Sequence, residues 1–385
     1  RKDARSPLGW ELGVTGLDSL EAAARAGQLA ALKGFGAKLQ AKVLEALTFV
    51  RVSGGRLLMP HAERRAAEAA AKLKALPGVK EVQPAGELRR GCESVGELVL
   101  VAAAEKSAEV PGALEDVRVV RCAPERFGAV LLHETGARSF VEGLQRWAAE
   151  SGHKLTENGL LDSKSQPVAT PTERDAFAAL GLPEIPPELR ETAEVLEQAR
   201  QHKLPRLIEP GDLQGILHSH TAYSDGMHSL EEMCAAVAGM GWHYYGVCDH
   251  SQSAAYADGL KADRVAEQHA EIDRLNARFE KDGAIFRIFK GIESDILEDG
   301  ALDYPEDVLA RFDFVVASVH SRFELDEKAQ TARVVKALEN PHTTILGHCT
   351  GRILLRREGY KLDLETVLQA AARHGVALEI NAHPC

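Results

Sequence analysis

The stretch Ile216 to Asp225, ILHSHTAYSD, places two imidazoles two residues apart and a carboxylate five residues further on. Side chains of an extended strand alternate faces, so His218 and His220 would point the same way and could share one cation. An isolated H-x-H is more often an exposed or satisfied pair. This one is followed by Val247-Cys248-Asp249-His250, Lys290-Gly291-Ile292-Glu293, the run 315–319 before His320, and Ile345-Leu346-Gly347-His348, each a short apolar run ending in a histidine or glutamate. A mixture of nitrogen and carboxylate donors suits zinc, manganese or iron, whereas a thiolate-seeking ion would want a cysteine cluster.

Strands of this kind, separated by helical patterns, deliver their last side chains to one rim of a parallel barrel. The chain of 385 residues has room for two or three domains. It begins at Arg1 and stops at Cys385, just past the apolar run 376–380, and is read as a fragment open at both ends. Cys92, Cys122, Cys234, Cys248, Cys349 and Cys385 form no C-x-x-C pair, which suits a reducing cytosol and argues against a disulfide scaffold. No apolar stretch approaches the ~20 residues of a spanning helix, so a cytoplasmic protein without a membrane partner is expected. The net charge of −11 is uneven: residues 1–150 hold 22 Lys/Arg against 19 Asp/Glu, net +3, leaving 24 against 38, net −14, for the remainder. A polyanion would meet the front half more readily, and the acidic back half fits a site that collects cations.

From the front, residues 17–47 read as two helices around a tight turn, with Ser19 a cap for the first. Gly34 and Gly36 flank Phe35, and Lys38 and Lys42 follow on the next helix. Such glycines let backbone N–H groups approach a nucleic-acid phosphate at a helix N-terminus, and the hairpin resembles the helix-hairpin-helix element that grips DNA backbone without reading bases. An ordinary interhelical turn is the alternative. Residues 61–76 predict an alanine-rich helix, 79–82 and 117–122 strands, 191–200 a polar helix, and 203–211, with Pro205 and Pro210, a linker.

The passage Gly86-Glu87-Leu88-Arg89-Arg90-Gly91-Cys92-Glu93 resembles the palm of family X DNA polymerases, whose pattern continues with metal-binding aspartates. Here Glu97 stands at the first of those positions, Val99 at the second and Arg118 at the third. Two-metal phosphoryl transfer needs carboxylates to hold the ion pair. The resemblance thus implies a persisting palm fold without nucleotidyl transfer. His133-Glu134-Thr135-Gly136 sits where the family commonly has Y-F-T-G, and the stretch from Phe140 to Arg190 resembles its thumb.

Beyond Gly215 the resemblance is to the PHP domain that follows the thumb in bacterial family X polymerases. It is carried by Lys290-Gly291-Ile292-Glu293, Leu302-Asp303-Tyr304-Pro305, Ser318-Val319-His320-Ser321-Arg322-Phe323 and Leu346-Gly347-His348-Cys349-Thr350-Gly351-Arg352. It implies up to three divalent ions, manganese or zinc ahead of magnesium or iron. His218 and His220 would bind the first, Glu293 would bridge it to a second held by His320 and His348, and Asp225 with His250 would hold the third. The reaction implied is hydrolysis of a phosphoester, with Glu293, His218, His220 and His320 at the catalytic centre. The family's last Asp-x-His pair lies beyond the segment 381–384, so incomplete shells for the first and third ions are expected, and His383 is a weak candidate in their place. Arg322 and Arg352 are candidate phosphate clamps, Asp249 either orients His250 or caps the strand end, and Trp242, Tyr244 and Tyr245 are expected to pack. His228, His243 and His269 read as bystanders.

The expected architecture is a multidomain α/β chain: a helix-hairpin-helix region at 1–52, an α+β palm at 53–131, a thumb at 132–202, a linker at 203–212 and a distorted (β/α)7-type PHP barrel from 213 to 385. The expected function is removal of nucleotides or blocking groups from gapped or 3′-recessed DNA, by a monomer. The alternatives are an inert DNA-binding scaffold and a small-molecule phosphatase of the histidinol phosphate kind.

Overall fold

The structure, a computed structural model, describes residues 12, 14–32 and 36–381, and of residues 38, 45, 50, 52 and 53 the backbone alone. The chain divides into two compact units, one running to Pro205 and the other holding Arg206–Ile353 and residues from 357 onward.

Among the described residues of the first unit, the expected pair of helices at 17–47 is three helical pieces, Leu17–Arg25, Gln28–Ala31 and Ala37–Ser53. The extra break follows from Gly27, whose φ of 77° puts it in the left-handed region that ends a helix. Ser19 lies inside the first turn instead of capping it; its hydroxyl accepts the Gly16 N–H at 3.0 Å. The next helix, Met59–Lys74, starts earlier than the apolar pattern suggested because Pro60 is tolerated in a first turn. Its face of Ala62, Ala66, Ala69 and Leu73 is buried.

Strands β1 (Leu57–Leu58) and β3 (Ser94–Val95) pair with each other, while β2 (Val79–Pro84), β4 (Leu98–Ala104), β5 (Ala113–Leu114) and β6 (Val117–Cys122) form a sheet in the order β2-β4-β6-β5. Every residue of β4 is buried, so its Leu-Val-Leu-Val run reads as a central strand covered on both faces. It runs parallel to β6, with Val99 beside Arg118. The helices Phe127–Thr135 and Arg138–Glu150, the hairpin of β7 (Lys154–Thr156) and β8 (Gly159–Leu161), and the helix Glu173–Ala179 complete this unit around a core that includes Phe140, Leu144 and Phe177. The polar helix spans Glu194–Arg200.

The second unit is one sheet of six parallel strands in sequential order: β9 (Gly215–Ile216), β10 (Tyr244–His250), β11 (Arg287–Asp295), β12 (Phe314–Ser318), β13 (Ile345–Leu346) and β14 (Ala377–Leu378). A helical segment lies between each consecutive pair. Three of these helices start on side-chain caps that the sequence spells out, Ser229, Asp326 and Asp363 accepting N–H groups from Glu232, Ala329 and Thr366. A flat sheet would set its two edge strands roughly 24 Å apart at the usual strand spacing. Yet His218, just past β9, and Glu379, just past β14, touch at 2.6 Å. The sheet therefore curls until its first and last strands meet at the rim, the geometry of a distorted barrel.

Candidate metal centre

Glu293 is the hub. It lies in β11 at 1% exposure, in register with His250 of β10, and five imidazoles surround its carboxylate. Its Oε1 faces His218 Nε2 at 3.3 Å, His320 Nε2 at 3.2 Å and His348 Nε2 at 2.8 Å. Its Oε2 faces His250 Nδ1 at 2.9 Å and His220 Nε2 at 3.7 Å. Asp225 closes the open side, 3.8 Å from His220 and 3.7 Å from His250, with half of its side chain exposed.

The β ladder itself positions few of these groups. β9 ends at Ile216, so His218 and His220 are not strand residues as expected; they follow in extended chain held by the Cys248 N–H donating to the Ser219 carbonyl. Their rings still face one hollow, with centroids 5.5 Å apart. His320 and His348 likewise lie two residues past β12 and β13.

Burial opposes charge on His218, but Glu293 and Glu379 outweigh it and push its pKa up to about 9. His320 behaves in the same way, burial losing to Asp295 and Glu293, and reaches about 10. His220 is lowered, chiefly by burial. Burial also disfavours the Glu293 carboxylate, yet His218, His250, His320 and His348 hold it well below the usual carboxylate range.

His220 Nδ1, His250 Nδ1 and Glu293 Oε2 are buried with no hydrogen-bond partner. The last two approach to 2.9 Å without the alignment of a hydrogen bond, so both acceptors address a shared space. Buried polar atoms left unpaired are costly, and divalent cations held in neighbouring donor sets would satisfy them. The donor sets His218/His220/Glu293, His220/Asp225/His250 and His250/Glu293/His320 each bring a ligand atom from every member within 4.8 Å of the others. The residues present thus fit a cluster of divalent ions. Grouping differs from expectation: His220 joins Asp225 and His250, and His250, set against Glu293 by the register of β10 and β11, also joins His320, while His348 meets Glu293 but belongs to none of the three sets.

Sequence reasoning missed two carboxylates behind the rings. Glu379 accepts from His218 Nδ1 at 2.6 Å and from the His348 backbone N–H at 2.7 Å. Asp295 pairs with His320 Nδ1 at 2.6 Å. Both were within reach of the rule that found the others, since Glu379 ends an apolar run and Asp295 shares a strand face with Glu293. Asp249 serves neither role considered for it: it accepts from the Thr221 N–H and hydroxyl, the Ser224 hydroxyl and Gln268, and so fastens the loop carrying Asp225.

Arg322 is half exposed and paired with Glu298 at 2.8 Å, and Arg352 is exposed. Tyr245 is fully buried, with its hydroxyl accepting from Ser219 at 2.9 Å, while Trp242 and Tyr244 are partly buried. His269 packs edge-on to Phe312, burial pulling its pKa down to about 4. Gly34, the side chain of Lys38 and His383 lie outside the described residues; Gly36 starts the helix Ala37–Ser53 and Lys42 is exposed on it.

In the first unit, the three palm positions also come together. Arg118 Nε binds Glu97 at 3.0 Å and its Nη2 binds Glu134 at 2.8 Å, with His133 Nδ1 on the other Glu134 oxygen at 3.1 Å. Val99 is buried beside them at 4% exposure. Nearby, Arg89 grips Glu173 through two bonds of 2.7 and 2.6 Å, and the fully buried Arg190 binds the same carboxylate at 2.6 Å.

Such a centre, at the rim of a curled parallel sheet, is of the kind that defines a phosphoesterase class of domain. Family models agree: the DNA polymerase beta thumb matches residues 130–191 and the PHP domain residues 217–383. The DNA polymerase/3'-5' exonuclease PolX of Bacillus subtilis (strain 168) is 36% identical over 401 aligned positions, covering 97% of this chain and 69% of that protein. A probable phosphatase of Caldanaerobacter subterraneus is 39% identical over 98 residues, 24% of this chain and 36% of that protein. A probable phosphatase of Aliivibrio fischeri (strain MJ11) is 28% identical over 172 residues, 44% and 63% of the two. The chain belongs to the bacterial family X DNA polymerases that carry a PHP domain. Among the described residues no helix is long and apolar enough to cross a membrane.

Proposed function

We propose that the second unit hydrolyses phosphoesters at DNA 3′ ends, releasing nucleotides or a blocking phosphate, and that the first unit binds DNA without transferring nucleotides to it. The observation that carries this is Glu293, buried at 1% exposure between five imidazoles that divide over its two oxygens. A carboxylate so placed would hold cations on both of its oxygens, and the nitrogen-rich donors would favour manganese or zinc over magnesium, with iron an alternative. When bound, such ions supply Lewis acidity to the phosphate and ease the generation of hydroxide from water. The chain's own part is to hold that charge: His218 and His320 are fixed in tautomer and tilt by Glu379 and Asp295. Glu293, His218, His220 and His320 form the catalytic core of this reading, with Asp225, His250 and His348 as further ligands and Arg322 and Arg352 as phosphate contacts. Gly34, Gly36, Lys38 and Lys42 are the backbone-binding residues at the front.

Loss of polymerase function follows from the palm. Arg118 fills the space that cations would need and neutralises Glu97 and Glu134 at once. Primer extension should fail with manganese present.

The test is release of nucleotides from a 3′-recessed duplex with manganese, for the wild type and His220→Ala. Loss in the variant alone is expected; equal cleavage by both would place the hydrolysis elsewhere. The phosphatase-named relatives favour a second reading, a small-molecule phosphatase, and rapid turnover of histidinol phosphate with no cleavage of DNA would select it.

A further inference from the structure

Tyr256 is 70% exposed, unusual for a residue so close to a buried charge cluster. Its ring centroid lies 5.8 Å from that of His250 and 6.3 Å from that of His320. The planes are inclined at 65° and 78°, so neither imidazole stacks flat on the phenol ring, and most of the side chain is open to solvent. Among the described residues its hydroxyl makes no hydrogen bond.

The exposure does not come from a loose loop. Ala254, Ala257 and Leu260 around it are all buried, at 0%, 2% and 0%. The Ala257 and Gly259 N–H groups both donate to the Ala254 carbonyl, and the Leu260 N–H donates back to His250 at 2.8 Å. Gly259 is required here, because a Cβ would stand 1.9 Å from the Ser251 carbonyl oxygen. Arg264 clamps the turn through the Asp258 carbonyl and carboxylate. A largely exposed aromatic ring is therefore held beside two imidazoles of the site on a rigid pedestal.

Phosphate oxygens could meet only its hydroxyl, whereas the ring itself suits a planar apolar group. We propose that Tyr256 stacks against the base of the 3′-terminal nucleotide and so sets the register of the scissile phosphate over Glu293 and its imidazoles. This rests on the reading of the centre as a DNA 3′-end hydrolase. Stacking is indifferent to base identity, because every base presents a π-face, so the contact would give end recognition without sequence preference. Tyr256 on this account is a binding residue that touches substrate and takes no part in proton transfer.

The test removes each partner of the stack in turn. Steady-state cleavage of a 3′-recessed duplex with manganese is compared with that of the same duplex ending in an abasic nucleotide, for the wild type, Tyr256→Ala and Tyr256→Phe. On the normal end, Tyr256→Ala should raise KM about tenfold, equivalent to about 1.4 kcal/mol, while Tyr256→Phe stays within twofold of the wild type. The abasic end should cost the wild type a similar factor and cost Tyr256→Ala almost nothing further, since the stack is already gone. A Tyr256→Ala defect of equal size on both ends would show a structural role and overturn the proposal, as would an unchanged KM. A wild type that leaves both ends intact would overturn the 3′-end reading itself, and the stacking proposal with it; a wild type that cleaves, with no coupling between ring and base, overturns the stacking alone.

Discussion

The molecule contains two clusters of acidic side chains beside parallel strands, and they reach opposite electrostatic solutions. In the first unit, Glu97 and Glu134 are neutralised from within by Arg118, whose guanidinium binds both. In the second, Glu293 is surrounded by imidazoles, and buried acceptors on His220, His250 and Glu293 itself remain without partners. A permanent cation in the chain closes a site, because arginine cannot give up its charge or its place. Imidazoles, which can lose a proton and then donate a lone pair, leave the countercharge to be delivered from outside. What separates the two clusters is thus the identity of the cation, covalent in one and exchangeable in the other.

The contrast breaks most severely at its hub. Glu293→Gln should reduce manganese affinity and hydrolysis by more than about 100-fold, beyond the usual effect of groups behind the ligands, as read by calorimetry and nucleotide release. Affinity within a few-fold of the wild type would mean that the imidazoles alone collect the ions. The palm can be pushed the other way with Val99→Asp and Arg118→Asp together, which replaces the internal cation by carboxylates beside Glu97. Val99→Asp alone buries an unpaired charge at a position with 4% exposure and should cost about 3 kcal/mol of unfolding free energy. Adding Arg118→Asp should make part of that loss recoverable by manganese; a melting temperature insensitive to the ion would show that Arg118 was not what kept cations out.

Smaller effects should follow from the carboxylates behind the rings. Asp295→Asn and Glu379→Gln each remove the partner that orients a histidine, and each should weaken manganese binding by about 10- to 100-fold while the unit stays folded.

The pH responses sharpen the contrast further. In metal-free protein the raised pKa values of His218 and His320, about 9 and 10, lie above the unfolded value of 6.5. Their contribution to stability is therefore fully present below about 6.5 and lost as pH rises through 9 and 10. Ions compete with those same protons, so metal affinity should climb across this range. Burial disfavours the Glu134 carboxylate, yet His133 and Arg118 hold its pKa below 4.5. Its contribution is present above 4.5 and fades as the solution is acidified below that. Amide exchange near each cluster should accordingly quicken toward alkali around the imidazoles and toward acid around Glu134. Parallel pH profiles at the two places would contradict the assignment of charges.

Much of the second unit is legible without coordinates because its strands repeat one device. Short apolar runs end in a donor, and the helices between them announce their caps at Ser229, Asp326 and Asp363. The substitution of Val99 and Arg118 for acids can likewise be read from the motif around Arg89-Arg90, although nothing in the sequence shows that Glu134 would be drawn into the same ion pair. Asp249 was misjudged because its neighbour His250 suggested a local role, whereas its partners come from Thr221, Ser224 and Gln268. Tyr256 carries no signal in the sequence at all, one aromatic in a polar loop.

By itself, then, the order of residues determined which side chains could hold cations and which apolar runs they follow, since donor chemistry and spacing along the chain are local properties. Only the tertiary structure decided how they combine: the curl that brings Glu379 to His218, the register that sets His250 against Glu293, and the reach of Arg118 to Glu97 and Glu134. Those are consequences of packing between segments distant along the chain, where small differences in twist and register choose the partner of every charge.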